Sequence, residues 1–166
     1  MLLKDIIDPA QRFLVVLLIA LTTSLLFIPV HEYGHYLAAK YMGLEVTEFV
    51  PTMFIGKPHV SVLVSNDLPT VNKFILAMSG SGLVLLFIFI ILIVAYLRKE
   101  YFLVSAMLIA ASISLSFGYD DFLDFLSWAK IPISYFGIFL YFILAFFALG
   151  IYYFILYEVR RLGSRG

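Results

Sequence analysis

One short segment of the sequence carries the residue types of a metal-dependent hydrolase. It reads His31-Glu32-Tyr33-Gly34-His35. On a helix, side chains four positions apart project from the same face, and two imidazoles at that spacing can bind one Zn²⁺. The glutamate after the first histidine is then placed to act as general base on a water activated by the metal. The segment predicts a zinc site with His31 and His35 as ligands and Glu32 as the catalytic residue.

A catalytic zinc usually has three protein ligands and one open position, so the sequence must supply a third ligand. The chain has no cysteine, which leaves nitrogen and oxygen donors. His59 is one candidate, and the acidic cluster Asp120, Asp121 and Asp124 is the other. These aspartates could instead cap the start of a helix, where the helix dipole favours carboxylates. Gly118 would then mark the break before that helix.

The composition is typical of a membrane protein. Hydrophobic residues make up 63% of the 166 residues and charged residues 13%, whereas soluble domains have about 45–50% and about 25%. The polar surface is too small to cover a water-soluble domain, which excludes an ordinary cytosolic enzyme. The net charge is zero, so no basic face is available for a nucleic acid, and none is expected as a partner.

Four uncharged windows are long enough to cross a bilayer, which takes about 20 apolar residues. Their apolar runs are continuous, which favours helices over strands. We therefore expect an all-α, multi-pass integral membrane protein with a single domain over residues 1–166. Its four transmembrane helices should span about residues 9–40, 72–98, 101–118 and 132–160. Asp8, Pro9 and Gln11 predict the start of the first helix, and Pro29 can bend it just before His31.

The longest polar connection lies between the first and second helices. Leu44–Val50 and His59–Val64 alternate polar and apolar residues, with Pro51, Gly56 and Pro58 between them. Alternation bounded by such turn residues predicts a small β-hairpin at about residues 44–64.

The histidines and the acidic cluster lie at similar distances from the starts of their apolar windows. His31 follows Phe13 by 18 residues and Asp121 follows Tyr101 by 20, which is about 27 Å and about 30 Å of helix. The first and third helices run in the same direction if the second returns. The histidines and the acidic cluster should therefore meet at one side of the membrane, whereas His59 has no such match in depth.

These residues together resemble the site-2 protease family, the intramembrane zinc metalloproteases. His31–His35 matches the family's H-E-x-G-H, including the glycine. Residues 38–50 (AAKYMGLEVTEFV) resemble the passage into a β-hairpin at the membrane face, and residues 73–87 (KFILAMSGSGLVLLF) resemble the second core helix with its small-residue turn. The acidic cluster stands where the family carries an aspartate ligand. The resemblance covers about residues 13–130.

The resemblance implies a small member without a PDZ domain, embedded in the lipid bilayer. Such an enzyme hydrolyses peptide bonds of a membrane protein or transmembrane peptide substrate. It implies Zn²⁺ on His31, His35 and an aspartate, with Glu32 as base. Asp121 is the preferred third ligand because Asp121-Phe122 resembles the Asp-aromatic pair of small members. Asp120 and Asp124 remain alternatives, the latter because Leu123-Asp124 resembles the Leu-Asp-Gly of larger members.

Two departures from the family pattern support other functions. The asparagine-proline approach to the aspartate is replaced by Ser112, Ser114 and Ser116, and the proline of the small-residue turn is Ser81. The missing asparagine favours a catalytically inactive metal-binding membrane protein that acts as a binding or regulatory module. A metal-dependent hydrolase of lipids or small molecules is a further alternative.

The orientation in the membrane has two conflicting indications. Seven lysines and arginines flank the helices on the side of the termini and four on the side of the motif, and this excess favours cytoplasmic termini. The seven are Lys4, Arg12, Arg98, Lys99, Arg160, Arg161 and Arg165, and the four are Lys40, Lys57, Lys73 and Lys130. The resemblance instead implies a site nearer the cytoplasmic face.

Overall fold

The computed structural model describes residues 8–51, 58–65 and 67–163. Four residues named above lie outside these ranges: Lys4, Gly56, Lys57 and Arg165. The structure is mostly helical, at 79%, with a small two-stranded sheet. Its elements are, in chain order, α1 (Pro9–Leu26), α2 (Ile28–Tyr41), β1 (Val46–Val50), β2 (His59–Val62), α3 (Thr70–Leu97), α4 (Tyr101–Phe117), α5 (Tyr119–Trp128), a 3₁₀ turn (Ile133–Tyr135) and α6 (Phe136–Gly163).

Three helical spans are long and apolar enough to cross a membrane: Pro9–Tyr41, Thr70–Leu97 and Ile133–Gly163. The pair α4 and α5 makes a fourth if it is counted as one span bent by 45°. The predicted helical fold with a small hairpin between its first two spans is therefore confirmed. The agreement follows from the continuous apolar runs, which only a helix can satisfy in lipid within one segment.

The first span begins as predicted and then breaks. The Asp8 carboxylate accepts hydrogen bonds from the Ala10 and Gln11 amides at 2.7 and 3.0 Å, and the Gln11 side chain accepts from the Asp8 amide at 3.2 Å. The single helix expected over residues 9–40 is interrupted at Phe27, two residues before Pro29. Proline lacks an amide hydrogen and its ring collides with the carbonyl four residues earlier, which disrupts the helix there.

The other helices differ from expectation mainly around the acidic cluster. α3 and α4 begin and end within two residues of the expected bounds of 72–98 and 101–118. The helix expected over 132–160 starts at Phe136, after the 3₁₀ turn that follows Pro132. α5 is not among the four expected spans, but a helix starting after Gly118 was the alternative interpretation of the acidic cluster. It begins directly after Gly118, and its first turn holds Asp120 and Asp121, where the helix dipole favours negative charge.

α4 forms the centre of the bundle and packs against α1, α3 and α6. Every residue from Val104 to Ser112 is buried, so α4 is enclosed on all sides over that stretch. Two of its hydroxyls bind carbonyls of α6: Ser105 donates to Gly150 at 2.8 Å, and Ser112 donates to Ile143 at 3.0 Å. These bonds attach α6 to the core without introducing charge.

The hairpin strands are antiparallel, with Val50 opposite His59 and Val46 opposite Val62. They are shorter than the stretches 44–50 and 59–64 in which we expected them, and a bulge interrupts the register between Val46 and Glu48. The sheet is held against α2, because the ring of Phe49 stacks on that of Tyr36 with centroids 4.8 Å apart.

A charged pair joins the start of α1 to the end of α6. Arg12 donates to both carboxylate oxygens of Glu158, at 2.7 and 2.8 Å. The two side chains are only 9% and 14% exposed. A bidentate arginine–carboxylate pair combines charge with fixed geometry, and it connects the first and last helices at the end of the bundle away from the histidines.

We predict that Glu158→Leu lowers the free energy of unfolding by about 3 kcal/mol, because removing one member of a buried pair leaves the other charge without its main partner. The double variant Arg12→Leu/Glu158→Leu should recover most of that loss, since an apolar pair needs no compensation. Denaturation in detergent micelles measures both. A double variant as unstable as the sum of the two single variants would contradict coupling between the residues.

Candidate metal centre

The two histidines of the motif lie on the first two turns of α2, after the break at Phe27. The His31 amide donates to the Phe27 carbonyl at 2.9 Å, so the helix is already regular where the motif begins. The ring centroids of His31 and His35 are 4.8 Å apart, with the ring planes at 74°. Both Nε2 atoms therefore point into the same space, as the spacing of four residues predicts.

α5 brings one carboxylate to these nitrogens. Asp121 Oδ2 lies 2.9 Å from His31 Nε2 and 3.3 Å from His35 Nε2, and the two Nε2 atoms are 3.1 Å apart. Among the described residues, these three form the one group of histidine and acidic side chains close enough to share a metal ion. Their side chains are 12%, 11% and 29% exposed for His31, His35 and Asp121.

The other candidate ligands lie near the site without joining it. Asp120 and Asp124 are exposed on α5 and line the same cleft as the three residues. His59 also lines that cleft, but its Nε2 pairs with the Glu48 carboxylate at 3.2 Å. The geometry thus brings together His31, His35 and Asp121 and leaves Asp120, Asp124 and His59 outside the group.

The donor set fits a zinc ion. Zinc bonds to nitrogen and oxygen are about 2.0–2.1 Å, which separates two ligands of a tetrahedral site by roughly 3.3 Å. The three observed separations of 2.9, 3.1 and 3.3 Å lie close to that value. Two imidazoles and one carboxylate also match the ligand set of catalytic zinc sites that leave one position open.

The orientation of His35 supports the same role. Its Nδ1 lies 2.8 Å from the Leu76 carbonyl, which can only accept, so Nδ1 carries the hydrogen. In the neutral ring Nε2 then holds a lone pair, and it faces a carboxylate oxygen that also holds lone pairs. A metal ion or a proton placed between them would relieve this contact between lone pairs. Histidines that bind metals commonly donate their other nitrogen to a carbonyl in this way.

Sequence reasoning missed both partners of the His35 Nδ1. The Leu76 contact is made by a backbone carbonyl, so the identity of the side chain at this position does not indicate it. The Ser79 hydroxyl lies 3.3 Å from the same nitrogen and donates to the Leu76 carbonyl at 2.8 Å. A serine one turn after Leu76 on the facing helix was the only available signal, and it does not by itself indicate a contact with a histidine.

Close approach of α2 to α3 makes the site possible. A Cβ on Gly34 would clash with the Ser79 carbonyl, and a Cβ on Gly80 would clash with Nε2 of His35 and of His31. The glycine within the histidine motif and the first glycine of Gly80-Ser81-Gly82 are therefore required by packing. At Gly82 an added Cβ would meet nothing within 4 Å.

Gly118 places the acidic cluster. It lies between α4 and α5, where the chain bends by 45°, so the expected break at this residue is confirmed. A Cβ on Gly118 would clash with the hydroxyl of Ser81. The Ser81 hydroxyl is buried and has no hydrogen-bond partner among the described residues. The bend and the close contact with α3 direct Asp121 back toward α2.

The serines that precede the acidic cluster serve the bundle. Ser112 donates to the Ile143 carbonyl, Ser114 donates to the Ser24 hydroxyl at 3.3 Å, and Ser116 donates to the Ser112 carbonyl at 3.0 Å. All three hydroxyls therefore bond within the protein at the positions where the resemblance leads one to expect a substrate-holding asparagine.

Glu32 lies at the wall of an open cleft of about 420 Å³, which we call the metal cleft. The cleft contains all three members of the histidine–aspartate group. β2 borders the same cleft through Val60 and Val62, and Val64 just after the strand lines it as well. Val60 and Val62 are alternate residues and share one face of the strand, so β2, Glu32 and the group His31, His35 and Asp121 border the same volume.

No protein-family model, curated protein or solved structure matches the chain.

We predict that Gly80→Ala strongly reduces zinc binding, because the added methyl group takes the space of both imidazole nitrogens. Gly82→Ala is the matched control on the same helix, and it should bind zinc like the wild type. Alanine raises helix propensity by up to about 1 kcal/mol relative to glycine at either position, so helix stability alone cannot produce a difference. Zinc content by mass spectrometry compares the two, and equal content would contradict the close approach at Gly80.

Proposed function

We propose that the chain is a multi-pass integral membrane protein and an intramembrane zinc metalloprotease of the site-2 protease type. Its four spans are α1 with α2, α3, α4 with α5, and α6. The observation that carries this proposal is the meeting of His31, His35 and Asp121 in a cleft that Glu32 also lines. Ionisable groups at membrane depth are costly and are retained mainly for function.

The bundle surface supports placement in a bilayer. Large apolar side chains are exposed on the outer helices, for example Leu86 and Ile90 of α3 and Phe142 and Leu144 of α6. In water, exposed apolar surface on this scale would favour aggregation. In lipid the same surface is satisfied without further partners.

The residues divide the chemistry of peptide hydrolysis between them. His31, His35 and Asp121 would hold the ion, and a bound Zn²⁺ supplies a Lewis acid that polarises a carbonyl and activates water. The Glu32 carboxylate accepts the proton of the attacking water and delivers it to the nitrogen of the leaving amine. The Leu76 carbonyl keeps the His35 ring in the orientation in which Nε2 faces His31 and Asp121.

The substrate must be extended before it reaches Glu32, because the carbonyls of a transmembrane helix are already hydrogen-bonded within that helix. β2 pairs only with β1 among the described residues, so its second edge is open to another strand. An extended peptide lying in the metal cleft could add to that edge by backbone hydrogen bonds. This would hold the scissile bond between β2 and α2.

The ligand assignment predicts a difference between two aspartates on one helix. Wild-type protein should contain about one zinc ion per chain, and Asp121→Ala and His35→Ala should lose it. Asp124→Ala and Asp120→Ala should keep it, although both residues line the same cleft. Mass spectrometry on protein purified without chelators measures the content. Loss of zinc with Asp124→Ala and not with Asp121→Ala would contradict the assignment.

Glu32→Gln should keep the zinc and lose cleavage of a membrane substrate by about 10²–10⁴-fold, because an amide cannot accept the proton. The test compares zinc content and cleavage rate in the same preparation. Cleavage at the wild-type rate would refute the mechanism. Zinc bound without cleavage of any membrane peptide by the wild type would favour the alternative, a catalytically inactive metal-binding module.

A further inference from the structure

A second cavity opens from the metal cleft into the bundle. It has a volume of about 220 Å³ and is lined within the bundle by Ser24, Phe27, Ile28, Val84, Ser114 and Phe117. We call it the inner pocket. It shares His31, Glu32, Pro58 and Phe117 with the metal cleft, so the two volumes meet beside the proposed general base.

The inner pocket has a closed end and an open end. Val84 and Ser24 are 2% and 1% exposed and Ser114 is 4% exposed, whereas Phe117 is 46% exposed. The pocket therefore extends from the surface near Phe117 to a floor between α1, α3 and α4. The break at Phe27 lies in its wall, where the change from α1 to α2 interrupts regular helix packing.

The floor is apolar in effect although it contains two serines. The Ser114 hydroxyl donates to the Ser24 hydroxyl, and the Ser24 hydroxyl donates to the Ala20 and Ala110 carbonyls at 3.0 and 3.1 Å. Their hydrogens are thus used within the protein and none is directed at a ligand. Serine is small, so these positions leave the pocket deep, and a hydrogen-bond acceptor entering here would find no hydroxyl hydrogen to bind.

The volume suits one large apolar side chain. An apolar cavity of about 150 Å³ is sufficient to bind a benzene ring, so a pocket of about 220 Å³ admits the ring of phenylalanine or the branched chain of leucine. Because Glu32 stands where the pocket meets the metal cleft, the residue inserted in the pocket is adjacent in sequence to the bond under attack.

We propose that the inner pocket is a specificity pocket, which binds a large apolar side chain of the substrate residue flanking the scissile peptide bond. The proposal rests on the protease function above and specifies its substrate: a membrane segment with phenylalanine, leucine or methionine beside the cleavage site. Alanine or glycine there leaves the pocket unfilled, and a carboxylate or amide oxygen finds no free hydroxyl hydrogen at the floor.

The first test measures binding without catalysis. The full-length Glu32→Gln protein in detergent is irradiated with a leucine–alanine transmembrane peptide that carries one 4-azidophenylalanine, moved through its central positions. We expect one position to cross-link to Ser24, Val84 or Ser114, and Val84→Phe to abolish that product by filling the pocket. Absence of cross-links in the pocket, or their persistence with Val84→Phe, would overturn the proposal.

The second test measures specificity and does not require Val84→Phe to fold. Val84→Ala enlarges the pocket. Val104→Ala is the matched control, since Val104 is also fully buried, with 1% of it exposed against 2% of Val84, and does not line the pocket. Two substrates whose side chains differ by one methylene in an apolar pocket differ in kcat/KM by about tenfold or more. Val84→Ala should therefore shift the ratio of kcat/KM for tryptophan against leucine beside the cleavage site by about tenfold toward tryptophan, with no shift for Val104→Ala.

The two proposals fail separately. Cleavage that depends on Glu32 but keeps its preference in Val84→Ala would overturn the specificity pocket and leave the protease. Cross-links in the pocket with no cleavage by the wild type would refute the protease and leave the pocket as a binding site for apolar side chains of a peptide.

Discussion

Two imidazole nitrogens and a carboxylate oxygen lie within 3.3 Å of one another inside an apolar bundle, and the architecture around them follows from that juxtaposition. Groups of this kind are expensive to bury without partners. α2 must approach α3 closely enough for the Leu76 carbonyl to reach His35, which excludes side chains at Gly34 and Gly80. The chain must also bend after α4, since a straight continuation would carry Asp121 away from α2.

The rest of the bundle keeps α2, α3 and α5 in these positions mostly by packing and by hydrogen bonds between uncharged groups. α4 is enclosed by its neighbours. Its hydroxyls donate to carbonyls of α6 and to the Ser24 hydroxyl of α1, which in turn donates to an α4 carbonyl. Such bonds join helices at short range where lipid offers no hydrophobic force between them. The bidentate pair of Arg12 and Glu158 lies at the opposite end of the bundle from the histidines. Rigid support on several sides is what a preorganised metal site requires.

Much of the fold could be predicted because its causes are local. Continuous apolar runs produce the helices, alternation produces the hairpin, and Asp8 with Gln11 produces the cap of α1. α5 was predicted only as an alternative, because ten residues with three aspartates and no capping side chain are also typical of a solvated loop. The break at Phe27 was expected as a bend at Pro29, but its position depends on which hydrogen bonds the neighbouring helices leave intact.

The candidate site could likewise be predicted only in part from the sequence. The common face of His31 and His35 follows from helical periodicity alone. The choice among Asp120, Asp121 and Asp124 depends on the rotation of α5 and on the 45° bend, neither of which spacing determines. The sequence favoured Asp121 only through a resemblance. Nothing in the residue types indicated the carbonyl that orients His35 or the pocket between Ser24 and Ser114.

The distance along the chain between His31 and Asp121 is 90 residues, and this separation bears on biosynthesis. The ribosome releases α1, α2 and the hairpin well before α5. A nascent chain that has made only its first two spans holds the histidines and Glu32 but lacks Asp121. The group of His31, His35 and Asp121 is complete only when the bent pair α4 and α5 has joined the bundle, so under the proposed function the chain gains activity only late in its synthesis.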